Sequence, residues 1–203
     1  MITYIIIGLT VFISYIAFSN DNIIRKGIFS PYIIDKEKDW KRFVTHGFLH
    51  ADINHLVFNM ISLYFFGPFV EKSFGYQFNE MGPFVYLFFY ITSIIAASIF
   101  GFFKQKENQR YLALGASGAI SAVVFASIIF DPINKIYIFF IPIGIPAYIF
   151  GPVYLLISGF LAKKGGGGIA HDAHFFGALY GMLFIIVAFP GAIANFIKMI
   201  ANQ

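Results

Sequence analysis

Six apolar runs, each about the length of a membrane crossing, occupy most of the 203 residues and leave only connectors between them. Roughly 20 consecutive apolar residues carry a helix across hydrocarbon, and helices and closed barrels alone satisfy their own backbone hydrogen bonds there. The runs cover residues 2–18, 53–70, 84–103, 112–130, 146–162 and 173–189. Asp131-Pro132 stops the fourth. The stretch from Ile136 to Ala162 is too long for one crossing and holds Pro142, Pro146 and Pro152, so its first third is assigned to the interface and span five starts near Pro146. Ala17-Phe18-Ser19 resembles a leader cleavage site, but no basic segment precedes the first run, which is therefore kept as a span. Only 12% of residues are charged, about half of what a soluble domain carries. The absence of cysteine excludes disulfides, thiolate metal sites and a cysteine nucleophile. The net charge of +4 lies between the runs, which suits anionic lipid headgroups rather than nucleic acid. The expected fold is a single all-α polytopic membrane domain over residues 1–203 with six transmembrane helices.

Spans two, four and six begin on one side of the membrane, and the notable polar residues gather at those beginnings. His46, His50, Asp52, His55 and Asn59 open span two, Ser117 opens span four, and His171, Asp172 and His174 open span six. Every histidine of the chain lies in these clusters. A lone histidine at a membrane edge more often snorkels or caps than catalyses. Five of them converging with a serine favour a site, because polar side chains in hydrocarbon are costly and serine and histidine are the types that form a nucleophile with its general base.

His50-x4-His55-x3-Asn59, Gly115-x-Ser117-Gly118 and Ala173-His174-x2-Gly177-x3-Gly181 together resemble the rhomboid family of intramembrane serine proteases. The motifs stand in the family's order and on the matching spans, and Trp40-Lys41-Arg42 is similar to its Trp-Arg element with one residue inserted. The resemblance implies that Ser117 is the nucleophile and His174 the base, that His55 and Asn59 stabilise the oxyanion, and that His50 supports that region. It also implies a substrate that is itself a membrane helix, entering near span five. The Gly-rich turn Gly165 to Gly168 would then be a mobile cap, or equally a plain connector. No cofactor or metal is expected.

The residues support these roles independently. A helix beginning at Ser117 offers unpaired N–H groups and the positive end of its dipole to an oxyanion. His55 and Asn59, spaced i,i+4, share one face of span two; Asn59 alone could equally be interhelical glue. Gly115, Gly118 and Ala122 on span four and Gly177 and Gly181 on span six form small-residue faces that let backbones touch. Asp172 invites a triad, yet positions i and i+2 of a helix lie about 200° apart, so it should cap the first turn of span six instead. Ser121 departs from the family, where an aromatic residue often stacks on the histidine. A metalloprotease would need His-Glu-x-x-His, and His46-Gly47-Phe48-Leu49-His50 lacks the glutamate. The other rival is a catalytically inactive relative that binds transmembrane clients.

The resemblance implies a multi-pass protein of a cell membrane, a bacterial inner membrane, with the site facing away from the cytoplasm. Charge points the other way. All of the 14 Lys and Arg residues except Lys72, Lys135 and Lys198 lie on the loops after spans one, three and five, which positive-inside would keep in the cytoplasm.

Overall fold

The computed structural model describes residues 1–137, 143–164 and 170–203. Helix α1 (Ile2–Phe18) is followed by three short helices, α2 (Asp21–Gly27), α3 (Pro31–Glu37) and α4 (Arg42–Thr45). The longer helices α5 (Ile53–Phe78), α6 (Gly82–Gln105), α7 (Ser117–Phe130), α8 (Ala147–Lys164) and α9 (His171–Ala188) come next, and α10 (Ala192–Ala201) closes the chain. Each expected span has its helix. By length and hydropathy, two helical stretches among the described residues qualify by themselves to cross a membrane: Ile53–Gln105, which holds α5 and α6, and α9. Helices α1, α7 and α10 are apolar but shorter.

Two differences from the expected fold have local causes. The chain is not wholly α: β1 (Lys135–Tyr137) and β2 (Gly144–Pro146) pair antiparallel within the stretch assigned to the interface. Short apolar runs read alike in strand and helix. The fourth span is helical only from Ser117, not from Leu112, because Ala113 is drawn into a two-way backbone pairing with Phe29 (2.9 and 3.0 Å). Gly115 then turns the chain with φ +120°, a conformation that suits glycine. Helix α8 does start directly after Pro146. The cap expected at Gly165 to Gly168 lies outside the described residues, as does Pro142.

Helix α1 runs antiparallel to α5 and is tied to it at its N-terminal end. The Glu71 carboxylate of α5 accepts the N–H of Ile2 (2.7 Å), the N–H of Thr3 (2.9 Å) and the Thr3 hydroxyl (2.7 Å). A carboxylate there satisfies orphan donors at the positive end of the helix. Between α1 and α5 the short helices form a folded element. Buried Arg42 bonds Asp39 (2.9 Å) and the carbonyls of Arg25 (2.9 Å) and Ile28 (2.8 Å). Trp40 lies over Phe43 and Phe102.

Two kinds of packing divide the bundle along its length. At the end where α5, α7 and α9 begin, backbones touch: Gly177 sits against the Gly118 carbonyl and Gly181 against that of Ala122. At the other end rings interlock, Phe74 with Phe189 (4.9 Å between centroids), Phe89 with Phe184 (4.8 Å) and Phe130 with Phe189 (4.8 Å). The outward surface carries exposed Phe12, Tyr15, Phe65, Phe88, Leu156 and Val187. So large an apolar exterior is unfavourable in water and suited to lipid.

A Cβ at Gly177 would overlap the Gly118 backbone, which no side-chain rearrangement relieves. Gly177→Ala should therefore destabilise the protein in detergent by more than about 3 kcal/mol or prevent folding. Gly8→Ala, where no atom lies within 4 Å of the added carbon, should change stability by less than about 1 kcal/mol. Thermal unfolding of the two variants measures the contrast.

Candidate active site

Ser117 is the first residue of α7 and His174 lies in the first turn of α9. The close approach of these helices places the Ser117 Oγ 2.7 Å from the His174 Nε2. That is hydrogen-bond distance for a hydroxyl and the base that would deprotonate it. The first α7 helical bond runs from the N–H of Ile120 to Ala116 (3.0 Å). The N–H groups of residues 117 to 119 precede it and have no partner within the helix.

The segment before Ser117 is held by several elements at once. The Gly115 N–H donates to the His46 carbonyl (3.0 Å), and the Ala116 N–H donates to the His50 Nε2 at a longer 3.5 Å. The His55 ring lies against Gly115, where a Cβ would come within 2.6 Å of its Cε1. His50 and His55 meet edge to face at 5.0 Å. Asn59, one turn further along α5, is buried and donates one of its two amide hydrogens to the His55 carbonyl (2.8 Å). His50 and His55 thus lie against the residues just before Ser117, with Asn59 bonded to His55 one turn along α5.

The other polar residues divide. His46 is not a site residue of the same kind: it sits in the first-loop element, with Nδ1 on the Arg42 carbonyl (2.8 Å) and Nε2 on the Ser98 hydroxyl (3.1 Å). The ring nitrogens of His46 and His50 thus all face protein groups. Asp52 caps α5 by accepting the His55 N–H (2.8 Å). Asp172 accepts the N–H of Ala173 (2.9 Å), and among the described residues no hydrogen bond joins it to His174. Its other oxygen points toward Gly101 and Tyr111; burial, and secondarily this carboxylate, push the Tyr111 phenol up to about 12. A cavity of about 30 Å³, enough for a water, lies between Ser117, His46, Ser98, Tyr111 and Asp172.

Two contacts had no counterpart in the sequence reading. Ser121, one turn below Ser117, bonds the hydroxyl of Tyr154 on α8 (2.8 Å). A ring from another helix thus reaches the turn where the family often carries its own. Ser14 of α1 meets His50 Nδ1 at 2.9 Å. The available signal for Ser14 was the polar series Thr3, Thr10, Ser14 on one face of an otherwise apolar helix.

A family model described as a rhomboid domain matches residues 37–191. The chain is 34% identical over 145 residues to RHOMBOID-like protein 12, mitochondrial, of Arabidopsis thaliana, covering 66% of this chain and 42% of that protein. It is 32% identical over 104 residues to Rhomboid-like protein 11, chloroplastic, of the same organism (51% and 34%). It is 27% identical over 147 residues to Rhomboid protease AarA of Providencia stuartii (64% and 50%). The matches span half or less of each relative's length. The chain belongs to the rhomboid family, whose members are membrane proteins. Relatives named for two organelles and one from a bacterium do not assign it to a bacterial inner membrane.

Burial lowers His46 to about 4. Burial, then the His55 charge, lowers His50 to about 3 against a smaller opposing effect of Asp52. An unfolded histidine titrates near 6.5, so below that pH the unfolded chain binds protons that the folded one refuses. Stability is therefore full above pH 6.5 and is lost as pH falls toward 4, by up to about 3 kcal/mol from His46 alone. The unfolding temperature in detergent should drop between pH 7 and pH 5, and His46→Gln should flatten that dependence.

Proposed function

We propose that this rhomboid-family chain is an intramembrane serine endopeptidase, crossing the bilayer six times and cleaving membrane-embedded segments of protein substrates with a Ser117–His174 dyad. The observation that carries the reading is the 2.7 Å contact between Ser117 Oγ and His174 Nε2 at the head of α7. In the first step Oγ bonds to the scissile carbonyl carbon while His174 takes the hydroxyl proton. The oxyanion develops beside the α7 N-terminus, with His55 and Asn59 as side-chain donors. Collapse breaks the C–N bond, and the leaving amine takes the proton from His174. Water, deprotonated by the same imidazole, then hydrolyses the acyl ester and restores Ser117. The chain supplies nucleophile, base and donors from its own residues, with neither metal nor cofactor.

The orientation that suits this reading has both termini in the cytoplasm and the head of α7 on the opposite side. The first loop is no simple tether for the charge rule to act on: Arg42 is buried and paired, and Lys36, Lys38 and Lys41 lie near Asp35 or Asp39. A tag on the C-terminus should be protected from protease added outside, and digestion of it would reverse the assignment.

Ser117→Ala should reduce cleavage of a single-span substrate by at least about 10³-fold in a folded protein, and a mechanism-based serine reagent should attach at Ser117. Wild-type turnover by that variant would end the assignment of the Ser117 dyad, and a folded wild type that binds such a substrate without cleaving it would leave the client-binding reading in its place. His55→Ala and Asn59→Ala should lower kcat more than they raise KM, since a single oxyanion donor is worth about 2.7 to 4 kcal/mol. His174→Ala should be inactive. Asp172→Ala should keep most turnover with stability reduced by about 1 kcal/mol; equal inactivation of two folded proteins would make Asp172 the orienter of His174.

A further inference from the structure

We infer that Ser14 of α1 is a positioning residue for the reaction, fixing His50 in the one ring form that can hold the backbone immediately before the nucleophile. The inference rests on the protease reading above. Ser14 and His50 are both fully buried. Three contacts run in series: the Ser14 hydroxyl to the Phe48 carbonyl (2.9 Å), the same oxygen to His50 Nδ1 (2.9 Å), and His50 Nε2 to the Ala116 N–H (3.5 Å).

Hydrogen counting leaves a single assignment for this series. The Ala116 N–H is a donor, so Nε2 must present its lone pair. A neutral imidazole then carries its hydrogen on Nδ1 and needs an acceptor there. The Ser14 oxygen accepts it, and the single hydroxyl hydrogen goes to the Phe48 carbonyl, which can only accept. Were Ser14 to donate to Nδ1 instead, Nε2 would carry the hydrogen and face the Ala116 N–H, donor against donor. Burial keeps His50 low, at about 3, so the neutral ring is the working form at physiological pH.

Two parts of the site depend on that ring. Ala116 directly precedes Ser117 and accepts the first helical bond of α7, so its amide sets where the helix begins and where the N–H groups of residues 117 and 118 point. His55, on the other side, meets His50 edge to face and rests on Gly115. Without the Ser14 oxygen, His50 Nδ1–H is a buried donor with no acceptor. The ring is then no longer fixed in one form, and the population that takes the opposite tautomer loses the Ala116 amide. Displacements of this kind near reacting atoms cost rate without removing any group that touches substrate.

The test uses the full-length protein in detergent, with a single-span fluorogenic substrate and ¹⁵N-histidine labelling, His50 being assigned by His50→Gln. Ser14→Ala should lower kcat by about 10-fold to 100-fold, with KM within about two-fold. Labelling of Ser117 by a serine reagent should slow in parallel. The His50 nitrogen resonances should move from the Nδ1–H pattern toward the Nε2–H pattern, and Ser14→Thr, which keeps the hydroxyl, should retain the wild-type pattern and most of kcat. Unchanged kcat in Ser14→Ala, a loss confined to KM, or an unchanged His50 pattern overturns the inference. Should Ser14→Thr not fold, the tautomer pattern of wild type against Ser14→Ala still decides. An inactive wild type with a tautomer that depends on Ser14 would sink the protease reading while upholding the placement of the Ala116 backbone by Ser14.

Discussion

Everything at the site depends on two helices approaching until their backbones touch. Gly118 and Gly177, then Ala122 and Gly181 one turn along, set the separation of α7 and α9 by main-chain contact rather than by side chains that could change rotamer. Ser117 adjoins the first of these pairs, and His174 lies one turn before Gly177. Their hydrogen bond thus inherits its length from the helix contact. A proton transfer over 2.7 Å tolerates only small displacements, and a backbone stop is the stiffest way to enforce them.

The second constraint acts on the chain entering α7. Phe29, His46 and His50 each bond a backbone group of residues 113 to 116, so the folded element between α1 and α5 serves as the wall on which that segment hangs. Buried Arg42 joins this wall from within by bonding the end of α2 and the turn after it. Ser117 is therefore placed from two directions: its helix by α9, its entry by the first loop. His55 completes the arrangement by occupying the space that Gly115 leaves open.

How much of this was legible follows from the range over which each signal acts. Hydropathy located the six long helices among the described residues, since a buried or lipid-facing helix must be apolar over its length. It misplaced the start of the fourth because Leu112, Ala113 and Leu114 are as apolar as the helix they precede, and only the pairing of Ala113 with Phe29 reveals them as extended. Helix geometry alone turned Asp172 away from His174, and among the described residues no hydrogen bond joins them; the cap expected of Asp172 is not formed, since the helix already begins at His171, its N-cap is Ala170 and Asp172 bonds only the neighbouring Ala173 N–H. The small residues at 118, 177 and 181 announced close packing through their spacing. The Ser121–Tyr154 bond joins positions 33 apart and the Ser14–His50 contact positions 36 apart, with no local pattern to pair them. Such contacts depend on how helices assemble, which no single run encodes.

The interlocked rings at the far end of the bundle have a consequence for the bilayer itself. A polar pocket sunk into a membrane shortens the insulating path beneath it, and every ionisable group it exposes is a step toward a leak of protons or ions. Phe74, Tyr86, Phe89 and Tyr90, all fully buried, fill the lower half of this bundle with ring on ring. On the proposed protease reading, water reaching Ser117 from above would meet a ring-filled plug below, so the membrane would keep its electrical resistance.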